Sequence, residues 1–286
     1  MHSLFLSIHK KDLTKNPLVN YEVCNMKALD IELEIVNITS FIYDTVREAG
    51  FSKVIVGLSG GVDSALVAGL CTLSLGKDNV IGVMMPYKTS HPDSLAHAEL
   101  LVKFLHITAY CVPITEMVDS YFEWFESDAD VFRRGNRMAR ERMCILYDLS
   151  AKYKALVVGT SNKSEIFTGY CTQYGDSACA FEPIAHLYKT EVFEIAKTIK
   201  IPDEIIQKPP TADLWEGQTD EGELGISYQE LDKILYSILD VASYVPTDCG
   251  DRDIAATEKF NLVMKKVQNS LFKRRLPLTM ENVWEL

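Results

Sequence analysis

Residues 59–64 read SGGVDS, and this hexapeptide stands between a predicted buried strand and a predicted helix. The apolar run KVIVGL (53–58) precedes it, and the helix-forming stretch ALVAGLCTLSL (65–75) follows it. In an open parallel sheet, ligands bind beyond the carboxyl ends of the strands, where turns of this kind lie. The hexapeptide therefore occupies the place where a parallel α/β fold builds its binding site.

The residue types of the hexapeptide suit an anion. Gly60 and Gly61 can adopt backbone angles that aim their amide groups at one anion, and the following helix adds its positive end. Ser59 and Ser64 supply hydroxyl donors to the same anion. Asp63 would repel a bare phosphate, so its presence favours a magnesium ion that bridges phosphate oxygens. We predict a pyrophosphate site with its metal; the alternative is an ordinary strand-to-helix turn.

Apolar runs and amphipathic helices alternate around this turn. Strands are predicted at 54–58, 80–85, 107–112 and 155–159, and helices at 30–48, 64–75, 91–105, from about 115, and at 136–153. The strands lack the alternating polarity of a half-exposed sheet, which is typical of a parallel sheet covered by helices on both faces. The predicted fold class is doubly wound α/β, with C-terminal helices near 227–240 and 253–270.

Composition limits the function classes. Hydrophobic residues make up 47% of the 286 residues, and the net charge of −11 argues against a large nucleic-acid footprint. No apolar run approaches the eighteen or so residues that cross a bilayer. The seven cysteines form no C-x-x-C pair, which indicates free thiols and a cytoplasmic protein. Residues 1–26 are interpreted as an extension, and residues 27–286 as a single domain.

The stretch PDEIIQKPPTADLWEGQTDEGELG (202–225) is rich in proline, glycine, aspartate and threonine. Such a composition leaves little room for regular structure. A loop of this length in a compact chain is typically functional. We therefore predict a lid over the binding site.

Several stretches together resemble a known family. SGGVDS matches the S-G-G-x-D-S loop of the N-type ATP pyrophosphatases, which split ATP into AMP and pyrophosphate to adenylate an acceptor. The further stretches are GNRMARERM (135–143), GTSNKSE (159–165) with GYCTQYGDSACA (169–180), PIAHLYKTEV (183–192) and KPPTADLWEGQTDEGELGISY (208–228). With them the chain resembles the ammonia-dependent NAD synthetases from roughly residue 27 to residue 277, and this implies an adenine nucleotide alpha hydrolase-like fold.

The resemblance implies a role for each matching position. The ATP-binding residues would be Gly57, Leu58, Ser59, Gly60, Gly61, Val62, Asp63, Ser64, Thr160, Lys189 and Thr211. The magnesium ligands would be Asp63 and Glu165, and the residues that contact deamido-NAD would be Arg140, Gln173 and Lys273. Thr160 and Glu165 follow the strand predicted at 155–159, so they can share a crevice with Asp63.

The implied reaction has two steps. The nicotinate carboxylate of deamido-NAD attacks ATP, with Lys189 on the phosphates, and ammonia then converts the adenylate into NAD and AMP. Asp176 is the candidate for holding and deprotonating ammonium; it is equally a turn residue that bonds its own backbone. Free ammonia is expected because no residues remain for a glutaminase domain, and the resemblance implies a homodimer.

Three positions depart from one branch of the family. Gln173 stands where that branch has lysine, Ala180 where it has an acid, and Phe272 where it has histidine. We expect Arg140 to lie among apolar neighbours, where an unpaired guanidinium would be costly, and this favours an anionic partner. Two other functions stay open: a transfer-RNA-modifying enzyme of the same superfamily, and a nucleotide-binding sensor without catalysis.

Overall fold

The computed structural model describes residues 25–215, 217–241, 254–277 and 279–280. Most of the predicted extension, residues 1–26, therefore lies outside the described residues. Within the described ranges, no helix is both long and apolar enough to cross a membrane.

Four parallel strands form the sheet of the described chain, in the order β3-β2-β1-β4. They are β1 (Lys53–Gly57), β2 (Val80–Met84), β3 (Thr108–Cys111) and β4 (Ala155–Val158). The chain runs outward from β1 to β3 and then returns to the opposite side of β1, where Val56 pairs with Val158. The strand order thus reverses between β1 and β4, and a crevice opens there between the two connections.

The described residues form eleven α-helices. They are α1 (Ile31–Glu48), α2 (Val62–Leu75), α3 (Pro92–Leu105), α4 (Thr115–Phe125), α5 (Val131–Tyr153), α6 (Lys163–Thr168), α7 (Lys189–Thr198), α8 (Asp203–Ile206), α9 (Asp220–Leu224), α10 (Tyr228–Leu239) and α11 (Ile254–Asn269). Short 3-10 turns lie at Lys77–Asn79 and Leu271–Arg274.

The helices cover both faces of the sheet, as β1 illustrates. Val54 and Val56 point into a core that contains α1, α2, α3 and α7. Ile55 points to the opposite face, into a core with α4 and α5. All three side chains are fully buried, which explains why the strand is continuously apolar. The predicted doubly wound α/β class is confirmed.

Several predicted boundaries were wrong. The helix expected at 64–75 begins at Val62, and the one expected at 136–153 begins at Val131 because Asp130 caps it. The segment 202–225, expected to lack regular structure, contains the short helices α8 and α9. The buried side chain of Ile205 anchors α8 in the core, and the Thr219 side chain caps α9. The stretch between these helices keeps the irregular character that was predicted.

A buried carboxylate fastens the C-terminal helices to the rest of the fold. Asp232 of α10 is 0% exposed and accepts hydrogen bonds from the Ser164 hydroxyl and, at 2.9 Å, from the Thr190 amide. The Ser164 hydroxyl oxygen in turn accepts from the Lys189 amide at 3.0 Å. Asp232 therefore fixes the start of both α6 and α7.

Replacing this carboxylate tests its structural role. Asp232→Ala should lower the free energy of unfolding by about 2–3 kcal/mol, because two buried donors lose their acceptor. Chemical denaturation measures the change. The control is Asp128→Ala, at an exposed turn, which should change stability by less than about 0.5 kcal/mol. Equal stability of the two variants would contradict the assignment.

Candidate functional site

The carboxyl ends of β1 and β4 open into a cavity of about 550 Å³. Most of the predicted ATP-binding and metal-binding residues line it: Gly57, Leu58, Ser59, Gly61, Val62, Asp63, Ser64, Thr160, Glu165, Lys189 and Thr211. Asp176 and Lys273 line the same cavity. Residues from six separate places in the sequence thus converge at the point where the strand order reverses.

The turn after β1 is shaped by Gly60 and its two serines. Gly60 has a φ of 75°, and a Cβ atom there would lie 2.1 Å from the Ser94 carbonyl oxygen, so no side chain fits. The Ser59 and Ser64 hydroxyl oxygens lie 3.1 Å apart. The Gly61 amide donates to the Ser59 hydroxyl oxygen at 3.2 Å. The turn therefore gathers amide and hydroxyl donors on one side of the cavity.

A buried ion triad lines the same cavity. The Lys189 ammonium donates to Asp63 Oδ2 at 2.5 Å and to Glu165 Oε1 at 3.0 Å. Lys189 is only 2% exposed, and the ring of Tyr228 lies 5.2 Å from its Nζ atom. Burial opposes the charge, but Asp63 and Glu165 outweigh it and raise the Lys189 pKa above its usual value. The lysine is therefore a cation at neutral pH.

Asn162 orients both carboxylates of this triad. Its side-chain amide donates to Asp63 Oδ1 at 2.9 Å, and its side-chain oxygen accepts from the Glu165 amide at 3.0 Å. The Glu165 side chain reaches back to the Asn162 amide, which completes a capping box at the start of α6. Sequence reasoning missed this residue, although the N-x-x-E spacing is the sequence signal of such a box.

A third carboxylate, Asp220, lines the same cavity. Its Oδ2 atom accepts from the Tyr228 hydroxyl at 3.0 Å, while its buried Oδ1 atom has no hydrogen-bond partner among the described residues. Burial raises the pKa of Asp220. An orphaned carboxylate oxygen at the wall of a cavity marks a place where a ligand can bind.

The donor set fits a magnesium ion only together with a ligand. Asp63 and Glu165 offer oxygen atoms, which Mg²⁺ prefers. No three acidic, histidine or cysteine side chains in the described parts of the chain are grouped to hold a metal ion by themselves. An ion on Asp63 and Glu165 would therefore take further oxygens from water or from bound phosphates.

Asp176 faces the cavity from the loop after α6. Its Oδ1 atom accepts from the Thr172 amide at 2.8 Å, a turn contact with a residue four positions earlier in the chain. The same carboxyl group lines the cavity, and desolvation raises its pKa. Arg142, which sequence reasoning did not single out, lies on the cavity wall and donates from Nε to the Met85 carbonyl at 3.1 Å.

The residues predicted for deamido-NAD lie in two places. Lys273 lines the main cavity and donates to the Gly169 and Cys171 carbonyls at 2.8 and 2.6 Å. Gln173 lines a neighbouring cavity of about 350 Å³, and its carbonyl accepts from Arg140 Nε and Nη2 at 3.3 and 3.2 Å. The expectation that Arg140 is enclosed by apolar neighbours was wrong, because the residue is exposed on α5.

Comparison with known proteins agrees with this geometry. The fold and the cavity define an α/β protein with a nucleotide-binding crevice at its switch point. The NAD synthase family profile matches residues 34–277, and the chain belongs to this family.

The similarity extends over most of this chain and over nearly the whole length of the individual relatives. The chain is 48% identical over 258 residues to the "NH(3)-dependent NAD(+) synthetase" of Fusobacterium nucleatum, covering 88% of this chain and 98% of the relative. Two solved structures are similar: an NMN synthetase from Francisella tularensis (TM-score 0.77, 30% identity, 88% and 99% coverage) and an NH3-dependent NAD synthetase from Campylobacter jejuni (TM-score 0.73, 32% identity, 88% and 100% coverage).

Glu182 supports the loop after β4 and makes this loop sensitive to pH. It accepts from the Ser161 amide at 3.0 Å, and burial raises its pKa to about 7. Its protonated form is favoured in the folded state, so the stability that it contributes is complete below its ordinary pKa near 4.5 and is lost as the pH rises through about 7.

Glu182→Gln should remove this dependence. The wild type should lose about 2 kcal/mol of unfolding free energy between pH 5 and pH 8.5 that the glutamine variant keeps. Denaturation curves at several pH values measure the difference. Parallel stability profiles of the two proteins would refute the assignment. The exposed substitution Glu194→Gln on α7 serves as the control and should follow the wild type.

Proposed function

We propose that the protein is an ammonia-dependent NAD synthetase. It would amidate deamido-NAD, that is, nicotinate adenine dinucleotide, with ammonia at the expense of ATP, and release NAD, AMP and pyrophosphate. One observation carries the proposal: Asp63 of the turn after β1, Glu165 and Lys189, which lie far apart in the sequence, meet in one cavity of a chain that belongs to the NAD synthase family.

Adenylation needs positioning and charge neutralisation more than proton transfer. The nicotinate carboxylate is already a nucleophile and can attack the α-phosphorus of ATP without a base. The amides and hydroxyls of the turn after β1 would bind the phosphate oxygens, together with Thr160, Thr211 and the Lys189 ammonium. Donors fixed in advance around oxygens that gain charge stabilise the transition state most effectively.

Asp63 and Glu165 would hold a magnesium ion, which supplies further neutralisation of the phosphate charge. The Lys189 ammonium occupies the space between these two carboxylates. We infer that Lys189 exchanges the carboxylates for phosphate oxygens when ATP and the ion bind. Asn162 and its capping box would keep both carboxylates in place during this exchange.

Amidation follows in the same cavity. Ammonium must lose a proton before nitrogen can attack the adenylate carbonyl. Asp176 is the proposed proton acceptor because it lines the cavity and desolvation raises its pKa. Arg140, Gln173 and Lys273 would contact the dinucleotide.

A second candidate function differs in the size of the substrate, which would be a mononucleotide instead of a dinucleotide. The Francisella tularensis neighbour is named an NMN synthetase, whereas the Fusobacterium nucleatum relative, at higher identity, is named an NAD(+) synthetase. The higher identity favours the dinucleotide. Parallel assays with deamido-NAD and with the corresponding mononucleotide distinguish the two, through the ratio of their kcat/KM values.

We further propose a cytoplasmic homodimer. The described cysteines, among them Cys71 and Cys144, are free thiols, which suits a reducing compartment. Large apolar side chains are exposed on α4 and at the start of α5: Met117, Tyr121, Trp124, Phe125, Val131 and Phe132. An exposed apolar patch of this kind supports a contact between subunits. Light scattering after gel filtration measures the mass.

Product analysis tests the proposed reaction. With ATP, Mg²⁺, deamido-NAD and ammonium, the pure protein should form NAD and AMP in equal amounts, because the α-phosphorus is the atom attacked. Chromatography of the nucleotides reads out both products. Formation of ADP, or ATP consumption that ignores deamido-NAD, would contradict the proposal. Removal of magnesium by a chelator should stop turnover, and added Mg²⁺ should restore it.

Substitution of the buried cation tests its role. Lys189→Met should lower kcat/KM for ATP by about 100-fold or more, since a fixed charge on the phosphates is lost. Steady-state kinetics measures the effect, and circular dichroism verifies the folded fraction. Lys197→Met, on the exposed side of the same helix, is the matched control and should stay within about twofold of the wild type. Similar kinetics for both variants would exclude a phosphate contact by Lys189.

A further inference from the structure

Ser94, in the first turn of α3, packs against Gly60 of the phosphate-binding turn. The residue is 6% exposed, and its backbone carbonyl approaches Gly60 so closely that a Cβ atom would lie 2.1 Å from the oxygen. The backbone of Ser94 therefore packs directly against Gly60. Neither the resemblance nor the proposed reaction gives Ser94 a role.

Two charged residues of the segment 207–215 form hydrogen bonds with the Ser94 side chain. The Lys208 ammonium donates to the Ser94 hydroxyl oxygen at 2.7 Å, and this hydroxyl donates to Asp213 Oδ2, also at 2.7 Å. Asp213 accepts in addition from the His91 amide, at 3.0 and 3.1 Å. Hydrogen bonds to charged groups are stronger than neutral ones, so this contact is substantial.

Lys208 and Asp213 flank Thr211 in the sequence, and Thr211 lines the cavity. The Asp213 amide donates to the Thr211 hydroxyl oxygen at 3.1 Å, and this hydroxyl donates to the Gln218 carbonyl at 2.8 Å. Trp215 packs edge-on against Phe132 of α5, with ring centroids 5.3 Å apart. The segment 207–215 is thus fixed on both sides of the cavity mouth.

We propose that Lys208, Ser94 and Asp213 form a lid clamp, a set of positioning residues that ties the segment 207–215 to the phosphate-binding turn. The clamp holds Thr211 at the ATP site and keeps water from the adenylate. This inference rests on the proposed function. It assigns the clamp residues no contact with the reacting atoms; they act through Thr211 and Gly60.

An open clamp has a chemical signature. Water would then attack the acyl carbon of the adenylate; the bond between this carbon and the phosphate oxygen breaks, AMP leaves, and a proton is released. The products are AMP and unchanged deamido-NAD. ATP is therefore consumed without NAD formation, and the ratio of AMP to NAD reports on closure, whereas a loss of folded enzyme lowers both products equally.

The experiment compares Ser94→Ala, Asp213→Ala and the double variant with the wild type. The control is Glu99→Ala, which removes an exposed acid from the same helix, more than one turn away from the clamp. Two quantities are measured in full-length protein: the ratio of AMP to NAD at subsaturating ammonium, and amide hydrogen exchange of residues 207–215. The exchange measurement needs no substrate.

Both single variants should raise the exchange rate of residues 207–215 and the KM for ATP by about tenfold, and should bring the AMP to NAD ratio above one. The effect of the double variant should be less than the sum of the two single effects, because the contact between Ser94 and Asp213 is lost in both single variants. The control should match the wild type.

Unchanged exchange and an unchanged product ratio in both single variants would overturn the clamp. Additive effects in the double variant would overturn it as well. If the wild type forms no NAD, the proposed function fails on that observation, and hydrogen exchange alone still decides whether the clamp closes the segment. Should Ser94→Ala fail to fold, Asp213→Ala carries the same test from the other side of the contact.

Discussion

The buried cation Lys189 is the interaction on which the rest of the site depends. A lysine that is 2% exposed is tolerable only because Asp63 and Glu165 lie within 2.5 and 3.0 Å of its Nζ atom. The two carboxylates lie in the first turns of α2 and α6, the helices that follow β1 and β4, and the lysine begins α7. One charge contact therefore joins the two strands between which the strand order reverses and aligns the groups that would meet the phosphates.

The architecture was predictable because its signals are local. Residues 54–56 are buried on both faces, so the strand is continuously apolar, and SGGVDS marks the turn where a helix must start. Two of the wrong predictions have physical causes. An N-cap by Asp130 extends α5 beyond its apolar stripe. The stretch GNRMARERM does not reveal which of its arginine side chains faces solvent: Arg142 lines the cavity, whereas Arg140 is exposed.

Contacts between distant segments were beyond the reach of pattern reasoning. Asp220 becomes significant only because the fold brings its carboxylate to the cavity, and the contact of Asp213 with Ser94 joins residues 119 positions apart. Family resemblance supplied residue roles that geometry alone would not, such as that of Thr211. The geometry in turn supplied what resemblance did not, namely the support of both acidic residues by Asn162.

The most direct measurement is a crystal structure with a non-hydrolysable ATP analogue and Mn²⁺ in place of Mg²⁺. We predict an anomalous scattering peak bound by Asp63 and Glu165, phosphates against the amides of Gly60 and Gly61, and the Lys189 ammonium on phosphate oxygen instead of between the carboxylates. A nucleotide bound outside this cavity, or Lys189 still bridging both carboxylates beside a bound triphosphate, would contradict the account.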